Sequence, residues 1–214
     1  MSTISRMDLP RHISTPPGKA RELRQEQRDA LRGRILDVSR AIVKREGFAA
    51  LSMRRLAQAI DYSPAALYLH FRSRADIAHA LCVEGHATLR AAFAPQASIA
   101  DPAARLRAMA RVYVEFGLAE PETYRLMFMD ADRRGDGTHG TDDGMAALSS
   151  MTDAFVELRA AGRLKRLPPE TLPADCAQAL RATLHGIVAL ALCGVSRAMA
   201  ADEILELSLD AWLA

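Results

Sequence analysis

The segment Ser63-Pro64-Ala65-Ala66-Leu67-Tyr68-Leu69-His70-Phe71 carries side chains suited to reading another molecule rather than transforming one. Ser63 followed by Pro64 predicts a helix start, because the hydroxyl caps free N–H groups and proline suits the first helical position. On that helix Leu67 and Phe71, four apart, share an inward face. Ala65, Leu69 and Tyr68 fall on or beside the opposite face. Ala65 and Ala66 are small enough to let the backbone approach a base edge, and an outward Leu69 suits thymine methyl groups. A second group, His79, Cys82 and His86, is spaced i, i+3, i+7, which would offer a metal three ligands from one helix face. No fourth ligand accompanies it and a surface stripe explains it more simply, so neither metal nor cofactor is expected. No nucleophile, base or metal constellation stands out, which argues against an enzyme.

These side chains need helices to hold them. Leu31, Ile35, Val38 and Ile42 form one amphipathic stripe of a first helix beginning near Gln25, with Arg28, Arg32, Arg34 and Arg40 over much of its remaining surface. Gly47 is expected to end it with a positive φ. Ser52 caps a second short helix that packs through Leu56, Ala57 and Ile60, and Asp61 occupies the turn. Asp tolerates the left-handed conformation better than most residues, so the turn can close. Ser73 caps a fourth helix reaching about Phe93. Further helices are expected over 102–119, from Pro121 to Phe128, from Met145 to Ala161 ending at Gly162, from Pro173 to about Met199, and over 203–213 with Asp202 as cap. Asp130 to Gly144 reads as a mobile surface loop. About nine helices and no convincing strand make an all-α protein.

The charge is unevenly distributed. Residues 1–75 hold 15 Lys/Arg against 7 Asp/Glu, while residues 76–214 hold 13 against 19, within a net charge of +2. A basic first third on an acidic remainder suggests a polyanion-binding head on a body with another task. Residues 1–24, with four prolines or glycines at Pro10, Pro16, Pro17 and Gly18, read as a disordered basic tail. That tail could brush DNA but reads more simply as passive. Cys82, Cys176 and Cys193 are an odd, dispersed set without a secretory start, as in a reduced, cytoplasmic protein. The apolar run Ile187 to Val195 is too short to span a bilayer, so no membrane partner is expected.

Two short helices joined by a tight turn in a basic segment form the geometry that lays the second helix in the major groove of double-stranded DNA. The run from Ser63 to Arg74, preceded by Leu51-Ser52-Met53-Arg54-Arg55-Leu56-Ala57, closely resembles the DNA-binding domain of the TetR family of repressors over about residues 28–80. The resemblance implies that Ser52 and Tyr68 hold phosphates, with His70 and the Ser73/Arg74 pair clamping the backbone. It also implies that Arg54 reaches a base and that Pro64, Ala65, Ala66 and Leu69 line the groove. The turn departs from the family pattern: Ile60-Asp61-Tyr62-Ser63 stands where Ala-Gly-Val-Ser is usual, and Tyr62 would alter packing or add a contact.

The remainder resembles a regulatory domain named for a Trp-His-Gly motif, through Tyr113 to Met129, Ala161-Gly162-Arg163-Leu164 and Leu184-His185-Gly186. Leu184 stands where that Trp would be. Tyr113, Phe116, Tyr124, Met127, Phe128, Phe155 and His185 would line a pocket for a small-molecule effector, or would simply be core. Gly186 and Gly194 would let the eighth helix approach a neighbour closely. With the apolar faces of helices eight and nine, they suggest a homodimer closed by a four-helix bundle, although packing within the chain would explain the same glycines. The expected organisation is a tail (1–24), a three-helix head with a helix-turn-helix (25–72), and a ligand-binding and dimerisation bundle (73–214). Together these imply a ligand-relieved repressor. A helical DNA-binding protein controlled by a protein partner is the alternative.

Overall fold

A computed structural model describes residues 17–129, 142–164, 167–195 and 200–213. Among these, nine α-helices and two short 3-10 segments, Phe48–Ala50 and Ala94–Ser98, account for the regular structure. The helices are α1 (Pro17–Glu46), α2 (Met53–Ile60), α3 (Pro64–Tyr68), α4 (Arg74–Phe93), α5 (Pro102–Ala119), α6 (Pro121–Phe128), α7 (Asp142–Ala160), α8 (Pro173–Leu192) and α9 (Ala201–Leu213).

Helix starts follow local chemistry. The hydroxyls of Ser52, Ser63 and Ser73 accept from the backbone N–H groups of Arg55, Ala66 and Asp76, and the Asp101 carboxylate accepts from that of Ala104. Each satisfies a donor that the first helical turn leaves orphaned. Several ends are closed by one backbone device. At Asp61, Gly162 and Gly194 the chain turns left-handed, with φ near +60° to +67°. Paired bonds then close back on the helix, such as Tyr62 N–H to Ala57 O and Asp61 N–H to Gln58 O. Gly47 is different: its φ of 78° and ψ of 166° lie in a region reserved essentially for glycine.

Several boundaries differ from the expected ones. α1 begins at Pro17, so eight residues assigned to the basic tail are helical; the rest of that tail, 1–16, lies outside the described residues. A proline at the first position, with the helix formers Lys19 to Arg32 following Gly18, starts a helix without any apolar stripe. α8 stops at Leu192 rather than near Met199, because Gly194 takes the left-handed position and sends the Val195 N–H back to Leu190 O. Gly194 thus ends a helix instead of packing against one. α9 begins at Ala201, which places Asp202 inside its first turn and not at the cap. The loop expected over Asp130–Gly144 is outside the described residues as far as 141, and α7 has begun by Asp142. The side chain of Trp212 is likewise outside them.

The apolar residues form two clusters. One, under the head, joins Ile35, Ile42, Leu56, Ile60, Leu67 and Phe71 to Ile77, Leu81 and Cys82 of α4 and to Leu126 and Met127 of α6. The other fills the body with residues of α5, α7, α8 and α9, such as Leu106, Val114, Phe155, Leu184 and Leu209. α4 contributes to both, with Leu89 and Phe93 in the body. The head therefore completes its core with the first turns of α4, beyond residue 72. Phe116 and Phe128 pack against both clusters, so α5 and α6 bridge head and body.

Candidate nucleic-acid interface and effector site

The recognition segment rests on a dry support. Leu67 and Phe71 are buried, as the spacing requires, and they seat α3 on Ile35, Leu56 and Ile60. α3 itself is short: it ends at Tyr68, with Leu69 as its C-cap, and does not continue to Phe71. What points away from the support is unusually apolar for solvent. Leu69 is 76% exposed, Tyr68 53% and Tyr62 43%, with Pro64 and Ala65 also exposed and Ala66 half-buried. Leaving Leu and Tyr in water forgoes burial of order 1.5–3 kcal/mol each, which a surface facing base edges would recover.

α2 holds its arginines in two ways. Arg55 reaches back to Glu46 at the end of α1 (2.6 Å) and to Ala50 O (3.4 Å), clamping α2 onto α1. Arg55 first, and then Arg45, draw the Glu46 carboxyl down to about 2. Arg54, one residue earlier, is exposed on the outward side of α2. Ser52 Oγ accepts from Arg55 N–H, which leaves its hydroxyl proton for a further partner.

The side chains at the start of α4 also make contacts within the head. The Arg74 guanidinium lies over the Phe48 ring, 4.5 Å from its centroid. Arg72 donates to Asp76 (3.1 Å) and lowers that carboxyl. His70 is half-buried, and its carbonyl accepts from Arg32, whose guanidinium sits 4.2 Å from the Phe71 ring centroid. Burial, then Arg28 and Arg32, hold the His70 imidazole below its ordinary value. Arg24, Arg28 and Arg34 of α1 line an open groove with Tyr62 and His70. The sequence puts Arg28 and Arg34 on the surface of the first helix and Arg24 in the tail, and none of them beside the turn, since that proximity depends on how α1 crosses the head.

In the body, four of the seven candidate effector residues converge. Tyr113, Tyr124, Phe128 and His185 form one aromatic cluster, with Phe128 4.7 Å from Tyr124 and 6.0 Å from Tyr113, centroid to centroid. A polar chain runs through it: the Tyr113 and Tyr124 hydroxyls lie 3.1 Å apart, and the Tyr124 hydroxyl lies 2.7 Å from His185 Nδ1. A phenol hydroxyl can donate or accept, so the chain can run in either direction, with the Tyr124 hydroxyl serving both neighbours. Burial raises both phenols, and burial followed by Arg181 lowers the histidine, so all three groups are neutral. Phe155 is buried in the same body core as Tyr113 and Tyr124, whereas Met127 belongs to the head cluster. Phe116 lines a cleft of about 160 Å³ between α1 and α4, smaller than the roughly 300–1,000 Å³ of ordinary ligand sites.

His79, Cys82 and His86 are not a surface stripe. His79 is exposed, whereas Cys82 and His86 are buried. His86 Nδ1 lies 2.8 Å from Cys82 O, and its ring meets Phe128 edge-on at 5.4 Å. At about 100° per residue the three fall within roughly 60° of one another around α4, but both clusters pack against this helix, so sharing a stripe does not put all three in solvent. His86 is thus an aromatic-cluster residue that the spacing argument assigned elsewhere. Among the described residues no group of three potential ligands gathers to hold a metal.

A buried helical support presenting a short, double-capped helix and an adjacent arginine, carried on a separate helical body, defines a helix-turn-helix DNA-binding regulator of transcription. The chain belongs to the TetR family. The family model described as bacterial regulatory proteins, tetR family, matches residues 35–81. A second, described as tetracyclin repressor-like, C-terminal domain, matches residues 106–212, half of the chain. No curated protein sequence matches it. Among solved structures, a protein of unknown function from Rhodococcus sp. RHA1 is 29% identical with a TM-score of 0.72, covering 85% of this chain and 92% of that one. AibR in complex with isovaleryl coenzyme A and operator DNA shares the fold at 16% identity and a TM-score of 0.58, covering 84% and 96%. A TetR variant from Acinetobacter baumannii AYE in complex with minocycline does so at 16% identity and 0.59, covering 83% and 90%.

Proposed function

We propose that this protein is a homodimeric, cytoplasmic repressor that grips a pseudo-palindromic operator through α3 and releases it when a small molecule enters the body. It acts by binding and not by catalysis. The observation that carries this reading is the outward cluster of Tyr62, Tyr68 and Leu69 beside Arg54, on a head whose inner faces are fully used. Arg54 would read a base, most favourably the O6/N7 edge of guanine. Pro64, Ala65, Ala66 and Leu69 would line the groove, and Ser52, Tyr68, His70 and Arg74 would sit along the backbone.

The effector side is supported by Tyr113, Tyr124 and His185. A filled apolar core has no need of three polar groups in series, and His185 is only half-buried. An amphipathic molecule with one hydrogen-bonding group would meet His185 and lie against Phe128. Phe128 touches both clusters, so displacing it moves the support of α4 and hence the head. AibR and the minocycline complex are relatives of this fold solved with a small molecule bound. Coupling between such sites is typically ~1–3 kcal/mol.

Dimerisation would use the outward faces of α8 and α9. Leu190 is 50% exposed and Leu207 64%, and Gly186 faces open space, with nothing within 4 Å of a Cβ built on it. Packing within the chain therefore does not explain Gly186, whereas close approach of a second α8 does. An electrophoretic shift with fragments of the promoter region upstream of its own gene tests the DNA claim. Specific binding is expected for the wild type and its loss for an Arg54→Ala, Tyr68→Ala double variant. Full specific binding by that variant would reject the assignment of the face.

A further inference from the structure

α1 is 30 residues long, and its first half extends beyond the core it helps to build. Ile35, Ser39 and Ile42 are buried on one stripe of the helix. Followed upstream at the same alternation of three and four, that stripe becomes Leu31, Arg28, Arg24 and Arg21. Every residue from Arg21 to Ala30 is exposed. Glu22, Glu26 and Asp29 fall on the opposite side, where Asp29 accepts from Gln25 Nε2 at 3.0 Å. An isolated solvated helix gains from mixing signs at i, i+4; here the signs are sorted by face.

The cationic face lies on the same side of α1 as the helix-turn-helix. Arg24, Arg28 and Arg34 border one groove with Tyr62 and His70. Arg32 is already committed, donating to His70 O and stacking on Phe71, and it fixes the rotation of α1 about its axis. The stretch from Pro17 to Ala30 is roughly 20 Å long at about 1.5 Å per residue. A polyanion seated on α3 therefore has a rigid cationic rail beside it.

We propose that the Arg24–Arg34 stretch of α1 is a second DNA-contacting element, which lays Arg24, Arg28 and Arg34 along backbone phosphates flanking the sequence that α3 reads. The inference rests on the operator-binding reading above. Its chemistry is sequence-blind: the arginines neutralise phosphates and release counterions, adding affinity and salt dependence without adding base preference.

The test uses the full chain and a selected operator duplex with long flanks, titrated over a range of salt concentrations. Replacing Arg24, Arg28 and Arg34 together by Gln should weaken binding at least tenfold, uniformly for operator and unrelated DNA. It should also reduce the slope of log K against log salt by about one per arginine. Thermal stability should not change, since the three side chains are exposed or border open solvent. Trimming the flanks should bring the wild type towards the variant's affinity. An unchanged slope and affinity in the triple variant, with the Arg54→Ala, Tyr68→Ala control losing specificity, overturns the rail and leaves the recognition helix standing. A wild type that prefers no sequence at all overturns the underlying reading as well.

Discussion

At the scale of single residues, space and burial set the expectations. A Cβ on Gly117 would lie 2.6 Å from Val188 Cγ1 and 3.1 Å from Tyr124 Cδ2, so α5 and α8 touch there through a hydrogen atom. Gly117→Ala should destabilise by about 1–3 kcal/mol through overpacking, read from denaturant midpoints. Gly33→Ala is the control: nothing lies within 4 Å of its Cβ, and the gain in helix propensity should stabilise by up to about 1 kcal/mol. His185 supplies a pH prediction. Its folded imidazole is held below the ordinary 6.5 by burial and then Arg181. Above that value both folded and unfolded chains carry it neutral, and nothing is lost. As pH falls below 6.5 the unfolded chain binds the proton first, so stability drops. His70 shifts in the same direction. A His185→Gln variant should therefore show a shallower fall of melting temperature with acidification than the wild type. An equal fall would remove His185 as a cause.

At the scale of elements, short helices depend on their ends. α3 has five residues, too few to persist without its cap and its seat on the head. Ser63→Ala should destabilise by about 1 kcal/mol, and should weaken operator binding further because α3 frays first. Asp61 is the one described non-glycine residue with positive φ. Asp61→Ala should destabilise by about 1 kcal/mol or more, while Asp61→Gly should be close to neutral because glycine adopts φ > 0 without a Cβ clash. Comparison of the two by thermal melting separates backbone strain from loss of the carboxylate. Helix starts were readable from the chain because a capping hydroxyl and the N–H it serves are three residues apart, as at Ser52, Ser63 and Ser73. The onset of α1 and the end of α8 were not readable in the same way. The first has no apolar stripe to mark it, and the second turned on Gly194, whose type fits either close packing or a left-handed end.

At the scale of the whole molecule, Gly186 is the position at which dimerisation can be tested. Gly186→Leu should leave the protomer folded, since the side chain enters open space and leucine favours helix. The same side chain should hold two α8 helices apart. Sedimentation should then report monomers and operator binding should fall with them, because one recognition helix alone grips half a site. A dimer that persists with unchanged affinity would place the interface elsewhere.

The sequence alone determined the head. Its caps, its inward Leu67 and Phe71, its left-handed Asp61 and its basic charge are local facts, and local facts survive without knowledge of the rest of the chain. Only the tertiary structure decided which candidate residues meet. It gathered Tyr113, Tyr124, Phe128 and His185, added His86 from α4, and sent Met127 to the head. It also carried Arg24, Arg28 and Arg34 to Tyr62 and His70. Those pairings span tens of residues and depend on crossing angles between helices, which arise from packing and are not encoded in the period of any one helix.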